Sequence, residues 1–238
     1  MKKQVLQKYI ASSGHCSRRR AEEIIREGRV YVNNETAELG ARVDDDDKVK
    51  IGSKIIRPNL EFVYIMMNKP VGYTCTNRRF AEEKNVFELL SEEFRTGSGL
   101  HSVGRLDKDS SGLVLLTNDG ALTQKITHPS FEHEKKYAVL LQGNKERDVK
   151  KIVSMFEAGI GIGEDGIVKA KKVDYIGDDE FEIILTEGKK RQIRRMFGEV
   201  EERVIFLKRI SIGGLELGEL KEGEFRKLEI EEIEKLGN

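Results

Sequence analysis

The sequence predicts a fold that combines α-helices with β-strands, and three observations support this prediction. Apolar residues recur at helical spacing in residues 4–13 and again after Ser17. Short β-rich runs at 62–67 and 135–141 indicate strands. The apolar run 113–116, which an Asn-Asp-Gly turn signal ends, indicates a buried strand.

The 238 residues allow one or two domains with a sizeable core, but the overall charge identifies no partner. Because 42 basic and 42 acidic residues cancel, only the distribution of charge along the chain is informative. Cys16 and Cys75 lack metal-ligand spacing, which fits two reduced thiols. No run approaches the roughly 20 apolar residues of a membrane span, and polar residues interrupt the N-terminal segment that a signal peptide would need. We therefore expect a cytoplasmic protein with no membrane partner.

Residues 1–30 are basic, with eight basic and three acidic side chains. The first helix ends at Gly14, a typical C-terminal cap, and Ser17 is suited to cap a second helix that runs to Gly28. Three arginines occupy the first turn of this second helix: Arg18, Arg19 and Arg20. The helix dipole disfavours cations there, whereas phosphate groups bind well at a helix N-terminus. Phosphate contact is one interpretation, and an ordinary solvated basic face is the other.

Short strands and a linker follow the two helices. Strands are predicted at 29–32 and 49–51, and the acidic segment 44–47 is predicted to be a solvated turn. Pro58 restricts the residue before it to extended conformations, and the apolar pattern changes after it. We expect a linker at 58–61 between an N-terminal domain, residues 1–57, and a second domain, residues 62–238.

A charged segment, residues 104–112, leads into the buried strand at 113–116. Its Asp107 lies between glycines and two residues from Arg105. At the edge of a core such a carboxylate can be partly dehydrated and still be held ionised by the arginine, which is how a nucleophilic or general-base Asp is made. From the spacing alone, a solvated charged turn is the favoured interpretation.

Tyr137 lies on the predicted strand 135–141 and shares a face with Val139 and Leu141, so by itself it is interpreted as a core aromatic residue. His128 and His133 have no third ligand nearby, which favours structural or solvated roles over metal binding.

The other predicted elements are a strand at 181–185, a mobile loop at 96–99, helices at 86–95, 121–127 and 145–158 and beyond Gly188, and a surface helix at the acidic C-terminal end.

Four segments resemble motifs of the pseudouridine synthases that act on ribosomal RNA. GRLDKDSSGLVLLTNDG is similar to their signature, with Ser110 where Thr is usual, and IMMNKPVG, HEKKYAV and EGKKRQIRRM resemble further shared segments. The N-terminal stretch LQKYIASSGHCSRRRAEEIIREGRVYVNN resembles the alpha-L motif, a small RNA-binding module that commonly precedes the catalytic domain in this family. Together these segments cover nearly the whole chain.

The resemblance implies an α+β fold. A small helical alpha-L domain would precede a catalytic domain with a mixed, largely antiparallel sheet and a cleft at Asp107. The implied reaction detaches uracil from its ribose nitrogen link, rotates it and rejoins it through carbon. Because no atom is gained or lost, no redox or metal cofactor is expected.

The resemblance also implies roles for individual residues. Asp107 would be the nucleophile, and Arg105 would fill the gap left by the flipped base. Tyr137 would stack on that base, and Arg194 would hold Asp107 ionised and oriented. Seven further residues are implied in RNA binding: Arg18, Arg19, Arg20, Lys69, Lys189, Arg191 and Arg195. For Lys69, in a predicted turn, solvation without RNA contact is an equal alternative.

The implied partner is ribosomal RNA or a pre-ribosomal particle, bound by a monomer. The motifs resemble those of enzymes acting on large-subunit (23S) RNA more than those acting on small-subunit (16S) RNA, which remains the alternative. A ribosome-associated RNA-binding protein without catalysis is a second alternative, although the intact Asp, Tyr and Arg set opposes it. A hydrolase that uses Asp107 and Asp109 is a third, and no second carboxylate motif supports it.

Overall fold

The computed structural model divides into two compact units. Unit 1 contains Met1–Val63, Leu90–His101 and Thr117–Asp119, and unit 2 contains Tyr64–Leu89, Ser102–Leu116 and Gly120–Asn238. The structure describes residues 3–58, 61–76, 82–95, 98–143 and 146–236. The predicted linker 58–61 and the predicted loop 96–99 each include two residues, 59–60 and 96–97, that lie outside the described residues.

Two helices begin unit 1 and are followed by short strands. The elements in chain order are β1 Gln4–Val5, α1 Leu6–Ser12, α2 Arg18–Arg26, β2 Val30–Val32, β3 Glu35–Thr36, β4 Arg42–Val43, β5 Val49–Ile51 and β6 Lys54–Ile56. The hydroxyl of Ser17 accepts a hydrogen bond from the N–H of Arg20 at 3.3 Å, so the predicted cap of α2 is confirmed. The first helix is shorter than the predicted 4–13, because Gln4 and Val5 pair with β4 instead.

The two helices and the small sheet of unit 1 share one apolar core. The sheet has the strand order β3-β2-β5-β6 and is antiparallel throughout. Leu6, Ile10 and Ile25 from the helices and Val30 and Val49 from the strands are almost completely buried in this core. The positive φ of Gly14, 73°, reverses the chain between α1 and α2.

Strands dominate the remainder of the chain. Its elements are β7 Tyr64–Lys69, α3 Glu92–Arg95, β8 His101–Val103, β9 Ser111–Thr117, α4 Gly120–Thr127, β10 Lys135–Leu141, α5 Val149–Ala158, β11 Ile160–Gly161, β12 Ile167–Val168, β13 Lys172–Gly177, β14 Glu180–Leu185, α6 Gln192–Gly198, β15 Val204–Ile212, β16 Leu215–Glu216, β17 Phe225–Lys227 and α7 Ile230–Lys235.

The sheet of unit 2 has the order β13-β14-β10-β15-β9-β7-β17, with β16 added to β15 and β8 added to β9. Strand β10 pairs antiparallel with β14 and β15, whereas β15 runs parallel to β9. The sheet is therefore mixed and largely antiparallel, and the predicted α+β class is confirmed. Every residue of β9 is buried, as its unbroken apolar run predicts.

Two helix predictions were wrong. Residues 86–95 form a 3-10 turn, Val86–Leu89, and then the separate short helix α3 after Ser91, a residue that favours helix ends over interiors. The C-terminal segment is mostly not helical: glycines with positive φ at 218 and 223 interrupt it, β16 and β17 form, and only α7 is helical. Helix α5 begins at Val149, capped by Asp148, later than the predicted residue 145, which lies outside the described residues.

The described residues include no helix with the length and apolar character that crossing a membrane requires.

Candidate active site

The loop between β8 and β9 carries Arg105 and Asp107. The loop leads into β9, whose second residue is Gly112. The φ angle of Gly112 is +104°, and a Cβ atom at this position would lie 2.2 Å from the carbonyl oxygen of Arg209 on β15. Only glycine permits this close approach of the two parallel strands. The position of the loop relative to the sheet is thus set by backbone packing.

Lys69 contacts this loop from the core and is completely buried, so the prediction of an exposed lysine in a turn was wrong. Strand β7 extends through Lys69, whose Nζ donates hydrogen bonds to the carbonyl oxygens of Pro70 at 2.9 Å and Lys108 at 3.5 Å. Burial lowers the pKa of Lys69, while the negative charges of Asp109 and Asp107 act in the opposite direction. Lys69 therefore supports the loop and does not offer its ammonium group to the RNA backbone.

Two further backbone contacts hold the same loop. The N–H of Gly72 donates a hydrogen bond to the carbonyl oxygen of Lys108 at 2.7 Å, and the N–H of Leu106 lies 3.5 Å from Sγ of the buried Cys75. The N–H of Ser110 bonds to the carbonyl oxygen of Asp107 at 3.1 Å and closes a turn. The backbone around Asp107 is thus fixed on both sides.

The carboxylate of Asp107 is half-buried, and no described residue is hydrogen-bonded or ion-paired to it. Arg105, two residues earlier, is exposed, and the described residues provide no ion-pair partner for its guanidinium. The loop therefore presents a carboxylate and a guanidinium close together in sequence, each without an ion-pair partner in the part of the chain that the structure describes.

Arg191, the N-cap residue of helix α6, and Arg194, within that helix, converge on Asp109 rather than on Asp107. Nη1 of Arg191 lies 2.7 Å from Oδ2 of Asp109, and Nε of Arg194 lies 3.4 Å from the same oxygen. Burial raises the pKa of the Asp109 carboxyl, but the hydrogen bond from Arg191 and the charge of Arg194 outweigh it and hold the pKa below its ordinary value. Asp109 is therefore a stably ionised carboxylate.

Arg194 was expected to pair with Asp107, and its direct contacts differ from that expectation. Nη1 donates to the carbonyl oxygen of Val204 at 2.9 Å, and Nη2 donates to the backbone carbonyl of Asp109 at 2.8 Å. Burial lowers the pKa of Arg194, and the charges of Asp109 and, more weakly, Asp107 oppose that shift. Arg194 thus lies within electrostatic range of Asp107 without a direct bond to it.

Tyr137 projects from the middle of the sheet. It is 8% exposed and lies opposite Ile183 on β14 and Arg209 on β15. Arg209 is 3% exposed and donates from Nε to the carbonyl oxygen of Leu113 at 2.8 Å, while its Nη2 has no hydrogen-bond partner among the described residues. Sequence reasoning missed this buried arginine, because a charged residue in an apolar strand is ordinarily expected to face solvent.

The residues implied in RNA binding differ in whether their side chains already form ion pairs within the protein. Arg18, Arg19 and Lys189 are exposed, and the described residues form no ion pair with them. Arg20 is ion-paired with Glu23 at 2.8 Å and Glu27 at 3.4 Å. Arg195 is engaged by the carboxylate of Asp165 and the carbonyl oxygen of Ile162, so its guanidinium is much less available to RNA than was predicted.

No group of three His, Cys, Asp or Glu side chains among the described residues is arranged to hold a metal ion. His128 interacts with Ser130, at 2.7 Å between Nδ1 and Oγ, and His133 stacks on Phe131 with ring centroids 6.2 Å apart.

Comparison with known proteins identifies the class of protein that carries this site. The family model for RNA pseudouridylate synthase matches residues 63–199, and the S4 domain model matches residues 6–59. A solved structure described as a pseudouridylate synthase is 33% identical, with a TM-score of 0.71, and the match covers 98% of this chain and 99% of that chain.

Curated relatives extend over the same region. An uncharacterized RNA pseudouridine synthase of Aquifex aeolicus is 36% identical over 235 residues, 97% of this chain and 95% of that protein. Ribosomal large subunit pseudouridine synthase B of Bacillus subtilis is 36% identical over 239 residues, 97% and 94% of the two chains. The dual-specificity RNA pseudouridine synthase RluF of Escherichia coli K12 is 36% identical over 233 residues, 96% and 76%. The chain therefore belongs to the RNA pseudouridylate synthase family and is an RNA pseudouridine synthase with an N-terminal S4 domain.

Proposed function

We propose that the protein isomerises uridine to pseudouridine at a specific position of ribosomal RNA, and that the target lies in 23S rRNA. The Bacillus subtilis relative is named as a large-subunit enzyme, and the match extends over nearly all of both chains. In the proposed setting the enzyme acts as a monomer in the cytoplasm, on ribosomal RNA or a pre-ribosomal particle.

The observation that carries the catalytic assignment is the carboxylate of Asp107, which has no hydrogen-bond or ion-pair partner among the described residues and lies within electrostatic range of the buried Lys69. The Lys69 hydrogen bond to the carbonyl oxygen of Lys108 holds the loop from the core. A carboxylate without a direct bonding partner keeps its oxygens available to attack. In the proposed mechanism Asp107 is therefore the nucleophile.

The neighbouring groups have complementary roles in this proposal. The uridine must leave the stack before Asp107 can reach it, and the exposed Arg105 is suited to occupy the vacated position. Tyr137 would stack on the flipped uracil, and Arg194 would stabilise the charge of Asp107 from its position in α6. Lys189 and Arg191, both exposed, would contact RNA phosphates, and Arg191 does so while it also forms an ion pair with Asp109.

The experiment that tests this function is pseudouridine mapping of 16S rRNA, 23S rRNA and tRNA from cells with and without the gene. We expect the loss of pseudouridine at one or a few positions of 23S rRNA, restored by the wild-type gene and not by Asp107→Asn. Loss confined to 16S rRNA would replace the proposed target with the small subunit. An unchanged map in all three RNAs would contradict the proposed function.

A further inference from the structure

The turn between α4 and β10 carries an exposed aromatic ring that its neighbours hold in place. Phe131 is 52% exposed, although phenylalanine side chains are mostly buried in folded proteins. The ring of the buried His133 stacks on it, with centroids 6.2 Å apart and 27° between the planes. The ring of His128 meets it edge-on, also at 6.2 Å. Two rings therefore fix the orientation of Phe131, and half of its surface stays open to solvent.

The backbone of this turn is fixed as well. Nδ1 of His128 accepts a hydrogen bond from the N–H of Ser130 at 3.3 Å and caps the 3-10 turn Pro129–Phe131, whose first residue has a fixed φ. The N–H of Phe131 donates to the carbonyl oxygen of His128 at 3.1 Å, and Glu132 ends the turn with a φ of 48°. Because the ring is already ordered, a partner that packs on it pays little conformational entropy.

The turn lies beside the loop that carries Asp107. Gly104 begins this loop, and a Cβ atom on Gly104 would lie 3.8 Å from Cγ2 of Thr127, the last residue of α4. In the other direction, Tyr137 follows Phe131 by six residues. The exposed ring is thus next to the candidate nucleophile's loop on one side and precedes the residue proposed to stack on the flipped uracil on the other.

Basic side chains accompany the ring. Lys135 donates from Nζ to the carbonyl oxygen of His133 at 2.9 Å, so its amino group lies at the turn. Lys125 is exposed in the last turn of α4. Of the two acidic residues here, Glu134 already forms an ion pair and Glu132 is exposed. An open aromatic ring next to cations is typical of surfaces that bind single-stranded nucleic acid, where the ring stacks on a base and the cations attract phosphates.

We propose that the ring of Phe131 stacks on an unpaired base of ribosomal RNA, in the same strand as the target uridine and close to it. The inference rests on the proposed function, because that RNA is the occupant of the site. When the uridine leaves the stack, its neighbours lose a stacking partner, and an ordered ring beside the catalytic loop replaces that partner. Phe131 therefore holds a flanking base, whereas the role proposed for Tyr137 concerns the target base.

Phe131→Leu tests the stacking. Leucine still packs on His133 but has no flat aromatic face, whereas Phe131→Tyr keeps one. Affinities are measured in the Asp107→Asn background, so that the RNA is bound but not converted, on a fragment that contains the mapped uridine. We expect Phe131→Leu to weaken binding roughly tenfold, the scale of one lost base–aromatic stack, and Phe131→Tyr to stay within about twofold.

Tyr175→Leu is the matched control. Tyr175 is 43% exposed and packs on Phe181 with ring centroids 5.0 Å apart, so it is also an exposed ring held by another ring. It belongs to β13, however, at the edge of the sheet. Its replacement should leave the RNA affinity near wild type.

Abasic nucleotides identify the base that stacks on Phe131. The bases on either side of the target uridine are removed one at a time, and removal of one of them should weaken binding roughly tenfold when Phe131 is present. The same removal should have little further effect in Phe131→Leu, because one stack cannot be lost twice.

Wild-type affinity in folded Phe131→Leu, or an equal loss in Tyr175→Leu, would overturn the inference. So would losses that simply add at every abasic position. If Phe131→Leu does not fold, the abasic series with Phe131 present decides, and the inference is rejected when no flanking base contributes to binding. An unchanged pseudouridine map would reject the proposed function itself, whereas a positive map without coupling between Phe131 and a flanking base would reject only the stacking.

Discussion

The ammonium group of Lys69 lies 3.5 Å from the carbonyl oxygen of Lys108, the residue that follows Asp107. Lys69 is fully buried and belongs to the end of a core strand, so this contact connects the sheet directly to the loop that carries the candidate nucleophile. A second bond, to the carbonyl oxygen of Pro70 at 2.9 Å, fixes the direction of the side chain. The position of Asp107 therefore depends on a residue outside its own loop.

Lys69→Met should lower the turnover rate. The thioether retains much of the volume but supplies neither the positive charge nor the donor for the Lys108 carbonyl. Because small displacements of a reacting group cost up to about a hundredfold, we expect a loss of at least about tenfold in the single-turnover rate. Removal of a desolvated cation offsets part of the missing hydrogen bonding, so the change in the free energy of unfolding should be smaller than for a typical buried polar deletion.

Lys108→Gln is the control for Lys69→Met. It preserves the carbonyl oxygen that Lys69 binds and removes only an exposed ion pair with Glu83, 3.2 Å from Lys108 Nζ. Exposed pairs contribute at most about 1 kcal/mol, so its rate should stay close to wild type. Equal rates for Lys69→Met and the wild type would show that the loop does not need support from the core.

Asp107→Asn should abolish pseudouridine formation and leave RNA affinity within a few-fold of wild type. The amide preserves the shape of the carboxylate but cannot act as a nucleophile. The measurement is pseudouridine content after single-turnover incubation, together with equilibrium RNA binding. Turnover at the wild-type rate in a clean preparation would remove Asp107 from the mechanism.

Arg194→Ala should slow turnover by about a hundredfold or more, the scale expected for one preorganised electrostatic partner. Arg194→Lys should retain part of the rate because it keeps the charge but lacks the forked donor geometry. Arg195→Ala is the adjacent comparison on the same helix, and its guanidinium is already engaged by Asp165. A dead Arg195→Ala with a normal Arg194→Ala would mean that the electrostatic role belongs to Arg195.

The sequence predicts the parts of this site that local patterns encode. The unbroken apolar run of β9 and the turn signal after it place Asp107 in the loop that enters a core strand, and the alternation in β10 places Tyr137 on the face shared with Val139. Motif resemblance then assigns chemistry to these positions. Both predictions depend only on the sequence of one strand and the turn or loop next to it, and both agree with the structure.

The remaining features depend on contacts between distant segments. The Pro and Gly after Lys69 indicate an exposed turn, but β7 continues through Lys69, whose side chain is buried against the loop that carries Asp107. The ion pair of Asp109 with Arg191 joins residues from separate motifs, and charge spacing cannot reveal it. Pairing of β17 with β7 explains the error at the C-terminal end, where Phe225 opposes Met67 in a sheet instead of lying on a surface helix.

Lys135 should make stability depend on pH in a characteristic window. Burial, and then the charge of Arg209, lowers its pKa from 10.5 to about 8. Between these values the unfolded chain binds the proton more tightly than the folded protein, so this group makes the free energy of unfolding rise as the pH increases from about 8 to 10.5. Lys135→Met should lack that rise, as measured by urea unfolding at about pH 7, 9 and 10.5.

Lys136→Met provides the comparison for Lys135→Met. Lys136 points to the opposite face of β10 and is ion-paired with Glu182 at 3.2 Å. This variant should keep the wild-type increase in stability with pH. If Lys135→Met and Lys136→Met show the same pH dependence as the wild type, the buried environment of Lys135 does not influence folding.

The arginines at the N-terminus of α2 should control RNA affinity without affecting chemistry on bound RNA. Changing Arg18, Arg19 and Arg20 to Gln should weaken binding and reduce the log-log salt slope by roughly one unit for each phosphate that an arginine no longer neutralises. Arg18 and Arg19 should account for most of the effect, because Arg20 is already ion-paired with Glu23 at 2.8 Å. The measurements are RNA affinity across a salt series and the single-turnover rate at saturating enzyme, with Arg20→Gln alone as the comparison. If the folded triple variant keeps the wild-type affinity and slope, these arginines form an ordinary solvated face, and RNA docking must depend on Lys189 and Arg191 instead.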